Sequence, residues 1–351
     1  NLDGSFGWKD DTLRDGFVIC QGEFNQIYLR ALNDKDIRDQ LEQMILSWIN
    51  NDGLRRDVET DNDIFGQILL FNKASIAIEM HHSSFGWSKE QNKKLSKWLN
   101  DRVVEMFPTD KRPISKICPI NTKHSEFMRI EACQNGGILR AQAMLRVAIW
   151  NKDPELVEMA YLTFHRYMTG IREDGSNIAD STRGCTAADY NIWASQFMSD
   201  FLFHWDRIAN PLWDAQFVNG STPSDAVEYS LSLFGNFESI NKYTLSKDWK
   251  KCGVYKTERK QHASRRYKRE VFYPRVSFSP YFEYNGDLID ILKNYDRFSR
   301  STYTAQSGAN YEIALINLNP DLEEALNEYI AEKEEQEKQT IAKIKEQEKQ
   351  A

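Results

Sequence analysis

The chain has no CxxC pair and no cysteine and histidine grouping at metal-ligand spacing, which argues against a structural zinc site. Its five cysteines, Cys20, Cys118, Cys133, Cys185 and Cys252, are an odd number, so any intrachain pairing scheme leaves one over and counting alone does not fix the redox compartment. No apolar run approaches the ~20 residues of a membrane-spanning helix. Excess positive charge is missing too: the formal net charge is -7, with a pI near 5.6, which argues against binding nucleic acid through bulk charge. No fixed-period repeat points to a solenoid. The chain begins at Asn1 rather than Met, so a processed product or a fragment is expected and the lack of a leader is uninformative.

What is present is a helical chain rich in rings. The 351 residues, 41% hydrophobic and with 9 Trp and 15 Tyr, suffice for one large buried core. Such rings pack helices and also line sugar clefts. In residues 34–50, Ile37, Leu41, Met44, Ile45 and Trp48 fall on one helical stripe. Residues 64–80 form a second, more apolar candidate. The segment 88–108 opens with Ser88 and Gln91 at capping-box spacing and ends at Pro108, with Leu95, Trp98, Leu99, Val103 and Met106 as its apolar face.

The centre of the chain is clearest. Residues 138–150 read as a helix and 156–169 as its return, with Asp153 as N-cap and Pro154 at the first helical position between them. So short a turn makes an antiparallel helical hairpin. A glycine-containing loop over 172–181 then leads to a long helix through Asp206. Beyond Trp213 a helix near 224–234 is expected, whereas 271–284 alternates aromatic and polar residues like a strand or extended loop. Between residues 247 and 269 stand ten Lys and Arg against only Asp248 and Glu258, which reads either as a solvated loop or as a rim that attracts a polyanion. After Pro320 the composition turns charged and no sustained heptad follows, so 321–351 is expected to be a solvated helical tail or linker and 1–320 the folded domain.

Within residues 133–194, Arg183 and Tyr190 stand seven apart behind that loop, and Gln134, Asn135 and Gly136 open the preceding helix. A guanidinium that binds a carboxylate, followed by a phenol that can move a proton, suits uronic-acid chemistry. Taken alone the spacing is also that of an ordinary structural pair. On a single helix it corresponds to an axial gap of ~10 Å, so the two side chains are expected to flank a sugar rather than touch.

These residues resemble the alginate lyase family of polysaccharide lyases. In that family an Asn-Asn-His motif opens a helix, and about forty residues on, an Asp-x-Gly-Phe-Leu-Pro-Asn-Glu type loop leads to an Arg-x6-Tyr pair. Asp174, Gly175, Ala187 and Tyr190 keep the internal spacing, and Gly136 stands where the family has histidine. The resemblance covers about sixty residues. It implies an all-α fold, an incomplete (α/α) toroid of antiparallel helical hairpins with a minor irregular or β segment near 247–305. It also implies a secreted or periplasmic protein, an acidic polysaccharide partner, and no cofactor or metal.

The implied reaction is β-elimination. Arg183 and the amide of Asn135 neutralise the uronate carboxylate so that the charge developing at the C5 carbanion is held. Tyr190 removes the C5 proton and protonates the departing oxygen, which for a phenol of ordinary pKa about 10 requires a cationic neighbour. Substrate-binding candidates are Trp193, Gln134, Arg140, His124, His81 and His82. The three histidines are the candidates to replace the one missing at Gly136, whereas His165 and His204 read as packing residues and Arg146 as a salt-bridge former. Three alternatives stay open: a toroid that binds acidic glycans without cleaving them, an interaction scaffold built on the charged tail, and a glycoside hydrolase using two of Asp174, Asp180 and Asp189.

Overall fold

The computed structural model describes residues 34–54, 61–106, 133–245 and 247–266, together with 24, 27, 28, 30–32, 278 and 281. The described part is all-α. Its helices are α1 (Lys35–Asn50), α2 (Asp61–Phe85), α3 (Lys89–Met106), α4 (Asn135–Asn151), α5 (Pro154–Met168), α6 (Ala187–Trp205), α7 (Pro223–Leu233), α8 (Val254–Glu258) and α9 (His262–Arg266). The single β-type pairing among the described residues is an isolated bridge between Ile171 and Asn177. No helix among them is long and apolar enough to cross a membrane.

Local chemistry sets the helix ends. The Asp34 carboxylate accepts from the amides of Asp36 and Ile37, and Leu41, Ile45 and Trp48 form the buried face of α1. Ser88 and Gln91 exchange the two hydrogen bonds of a capping box at 3.3 and 2.9 Å. Asp153 caps α5 through the Leu156 amide at 3.1 Å with Pro154 in the first turn, and Lys152 ends α4 in the left-handed region at φ 54°. These caps turn the chain back within two residues, which places α4 and α5 as an antiparallel hairpin.

Helix α4 is the hub. It packs against α5 and α6 and also touches α2 and α3. It is buried almost all round from Asn135 to Ala148, as expected of a helix surrounded by others. Where α2, α4 and α6 meet, the core is polar. Arg146 donates to Asn72 and Asp200 at 2.5 Å each and to Glu79 at 3.2 Å. Gln142 donates to Asp200 and accepts from Asn72 at 3.0 Å. His204 meets Glu79 at 3.1 Å, so it is part of an ion network rather than a simple packing ring. Burial opposes ionisation of Glu79, but His204, Arg146 and Arg207 outweigh it and hold the carboxyl well below the usual range.

Where described, the segment expected to be irregular or β is irregular rather than β: residues 248–251 form a 3₁₀ turn, followed by the five-residue helices α8 and α9. Short helical turns fit its lysines and arginines better than a strand does. Of 271–284, Phe278 and Tyr281 are described; both are buried, and the Tyr281 hydroxyl donates to Glu228 at 2.6 Å. The remainder to 305 and the tail at 321–351 lie outside the described residues.

The 248–266 segment is tied to the core by a Cys185–Cys252 disulfide spanning 67 residues; Cys133 is also disulfide-bonded. On chain-entropy grounds a loop of that length corresponds to about 4 kcal/mol. Cys252→Ser is therefore expected to lower the denaturant midpoint by the equivalent of roughly 2–4 kcal/mol, measured by urea unfolding of both proteins under non-reducing conditions.

Candidate active site

Two segments meet at the start of α4. Gln134 takes the N-cap position in extended conformation but makes no side-chain cap bond. Its amide oxygen instead accepts from the guanidinium of Arg183. The backbone amide of Asn135 donates to Asp180 Oδ2 at 3.0 Å, so a carboxylate from the later loop occupies the helix N-terminus, where the macrodipole favours it. The Asn135 side chain is 4% exposed, and its Nδ2 has no hydrogen-bond acceptor among the described residues. A buried donor left in that state costs free energy unless something arrives to accept from it.

The loop is built around Asn177. Its side-chain oxygen accepts from the amides of Ala179 and Asp180 at 2.8 and 2.9 Å, and its Nδ2 donates to the Cys133 carbonyl at 3.1 Å. Its own amide donates to Asn191 Oδ1 at 3.0 Å, which fastens the loop to α6. Gly175, at φ +82°, lies so close to the Asp225 carbonyl that an added Cβ would be 2.0 Å from that oxygen. Only glycine fits there.

Helix α6 does not start in time to carry Arg183. Two 3₁₀ turns, Asp180–Thr182 and Gly184–Thr186, precede it, with Arg183 between them at φ -76°, ψ 32°. This elbow folds the guanidinium back onto the ring of Tyr190, 4.1 Å from its centroid. The expectation that the two side chains flank a gap of ~10 Å rested on one continuous helix; the elbow replaces that gap with a cation–π stack. Trp193 completes the row, edge-on to Tyr190 at 5.3 Å. Arg183, Tyr190 and Trp193 all remain partly exposed.

Asp180 is fully buried, with its Oδ1 3.3 Å from Arg183 Nε. Burial pushes its carboxyl up to about 6, against the opposing pull of Arg183 and the Asn135 amide. Nearby, burial and then the charge of Asp180 push the Tyr167 phenol well up. The folded-state value lies above the ~3.9 of a free aspartate. The stability contribution of this group is therefore complete below the unfolded value and is lost as pH rises through about 6. The ion pair with Arg183 has the opposite dependence and exists only above that pH. Asp180→Asn is accordingly expected to keep its thermal stability at neutral pH while losing the pH dependence of stability that the parent owes to this carboxyl between about pH 5 and 7. Melting curves of both proteins over that range check both halves.

The structure brings Gln134, Asn135, Arg183, Tyr190 and Trp193 together. Arg140 stands on α4, partly exposed, five residues beyond Asn135. His81 and His82 are placed elsewhere. His81 is buried against the Tyr28 carbonyl at 2.7 Å, and burial holds its pKa below the ordinary value. His82 meets Asn92 at 2.5 Å and lies 4.6 Å from the ring of Trp150. Trp150 is at the opposite end of α4 from Asn135, ~22 Å along its axis. Packing against helix ends satisfies both rings, so neither stands in for the residue absent at Gly136. His124 lies outside the described residues.

In the sequence Asp180 stood only as a possible acid, and Asn177 carried no signal. The three-residue step from Asp180 to Arg183 was a readable sign of the first. Asn177 is joined to Cys133 across 44 residues and leaves no local pattern.

No protein-family model matches the chain, and no curated protein does. Solved structures do. An alginate lyase A1-III from Sphingomonas species A1 is 20% identical at a TM-score of 0.52, over 69% of this chain and 66% of that one. A variant of that lyase complexed with a tetrasaccharide matches at 20% identity and TM-score 0.51, over 66% of this chain and 63% of that one. The chain thus spans less than two thirds of the length of that structure. An alginate lyase from Bacteroides ovatus matches at 14% identity and TM-score 0.52, over 86% and 78%. The fold of this chain is alginate-lyase-like, an array of helical hairpins of the (α/α) toroid type.

Proposed function

We propose that the protein is a polysaccharide lyase that cleaves a uronate-containing polymer, alginate, glucuronan or similar, by β-elimination. The observation that carries this reading is the convergence of two separate segments, the start of α4 at Gln134 and Asn135 and the Arg183 and Tyr190 stack, joined by the Arg183 bond to Gln134 and the Asn135 backbone bond to Asp180. In this reading the partly exposed guanidinium of Arg183, held against Gln134 at the start of α4 with Asn135 next in the chain, binds the uronate carboxylate. With that carboxylate neutralised, Tyr190 takes the C5 proton. The C5 electron pair forms the C4–C5 double bond, the C4–O bond breaks, and the leaving oxygen receives a proton from the same phenol.

Two further features support an acidic polymer outside a reducing compartment. Lys247, Lys250, Lys256, Arg259 and Lys260 are exposed on the segment stapled to the elbow, forming a basic rim that attracts a polyanion. The Cys185–Cys252 disulfide suits secretion or the periplasm. Hydrolysis is less well served. Asp174 is engaged by Ser176, Tyr243 and Lys242, Asp180 is committed to Asn135 and Arg183, and Asp189 is 2% exposed.

Gly136 favours one second reading, a toroid that holds acidic glycans without cutting them, because glycine has no side chain to offer there and His81 and His82 are engaged elsewhere. Mixing the protein with a panel of uronate polymers while following the ultraviolet absorbance of an unsaturated uronate separates the two. A rise on at least one polymer supports the lyase; flat traces with retained binding support the glycan-binding toroid.

A further inference from the structure

Gln261 is 0% exposed and lies far along the chain from the elbow, 77 residues beyond Gly184, yet its side chain grips the elbow at two points. Its Nε2 donates at 2.8 Å to the carbonyl of Gly184, the residue immediately after Arg183. Its Oε1 accepts from the Ala188 amide at 3.2 Å, one of the first-turn donors of α6 that has no partner within the helix. The second hydrogen of Nε2 goes to Asn241 Oδ1 at 2.6 Å, so the amide is used on every side and its orientation is fixed.

Neighbouring residues close the same grip. Gly184 sits at φ +58°, and a Cβ there would come within 2.8 Å of the Asp248 carbonyl. Cys185, one residue on, is bonded to Cys252. Between Gly184 and Ala188 the chain changes from 3₁₀ turn to α-helix, and that change sets how far back Arg183 folds onto Tyr190. Two short turns do not hold such geometry unaided, since 3₁₀ hydrogen bonds are poorly aligned.

We propose that Gln261 is a positioning residue for the Arg183 and Tyr190 pair. By tying the Gly184 carbonyl to the Ala188 amide it sets the pitch of the elbow and with it the register of guanidinium over phenol. It touches neither substrate nor reacting atoms. The catalytic part of this inference rests on the lyase reading; the structural part does not.

The test uses the full chain with Gln261→Leu, which keeps the volume and removes all three side-chain bonds, and Gln261→Glu, which keeps the acceptor for Ala188 and removes the donors to Gly184 and Asn241. Hydrogen exchange is read on the peptide covering 183–190, with kcat and KM on a uronate polymer that the parent cleaves. Gln261→Leu is expected to speed exchange at 183–190 while the rest of α6 stays protected, and to lower kcat roughly 10²-fold with KM changed less than about threefold. Gln261→Glu is expected to fall between this and the parent, and it carries the test if Gln261→Leu does not fold. Unchanged exchange at 183–190 overturns the proposal, as does faster exchange there with parental kcat, or a loss of protection spread evenly over all helices. If the parent itself cleaves no uronate polymer, the lyase reading fails separately; hydrogen exchange at 183–190 then carries the test of the structural role by itself, with the same outcomes for and against.

Discussion

Tyr190→Phe is expected to bind uronate polymer as the parent does and to cleave it on the order of 10³-fold more slowly, or not at all. The change removes one oxygen. The ring that Arg183 covers at 4.1 Å and Trp193 meets edge-on at 5.3 Å is retained, so the elbow keeps its shape. What is lost is both proton transfers, each worth typically 10²–10⁴-fold in rate. Initial rates from the absorbance of the unsaturated product, with binding measured in parallel by calorimetry, check the prediction. A variant that keeps its rate within tenfold places the base elsewhere, and one that loses affinity in proportion makes Tyr190 a binding residue only.

Arg146→Ala is expected to be the most destabilising single substitution at the junction of α2, α4 and α6, by about 3–5 kcal/mol. The guanidinium is 6% exposed and pairs with Asp200, itself 3% exposed, and with Glu79. Removing it leaves Asp200 as a buried charge with its strongest partner gone, and leaves the side-chain oxygen of Asn72 without its 2.5 Å donor. Replacing Arg146 by Met and Asp200 by Leu together is expected to recover much of the loss, because the main penalty is the orphaned charge rather than the missing pair. Chemical unfolding of the parent and both variants measures this. The site at the other end of α4 should be unaffected where the protein remains folded.

The hairpin architecture was legible because its signals are local. Ser88 with Gln91, and Asp153 with Pro154, each announce a helix start within four residues, and each makes the cap bond its spacing implied. The start of α6 was misread for an equally local reason. Gly184 is a breaker inside what looked like one helix, and its left-handed backbone delays α6 until Ala187. That delay brings Arg183 and Tyr190 into contact.

Histidines were the hardest to place. A ring beside aromatic neighbours serves packing and catalysis equally well on paper, and only the partners of His81 and His82 decide the matter. The site's supports come from outside any window that periodicity can reach. Asp180 meets Asn135 across 45 residues, the disulfide closes 67, and Gln261 meets Gly184 across 77. Their pairing is dictated by tertiary packing and leaves no period in the sequence.

The proposed activity is cleavage of a uronate polymer by elimination at Tyr190. Digesting the polymer in heavy-oxygen water and weighing the fragments tests it most directly. Elimination predicts fragments that carry no solvent oxygen and whose new non-reducing ends are one water lighter than hydrolysis would leave. Fragments labelled by the solvent would contradict it and make the protein a hydrolase, and a polymer that binds but stays whole would contradict it in favour of a glycan-binding toroid.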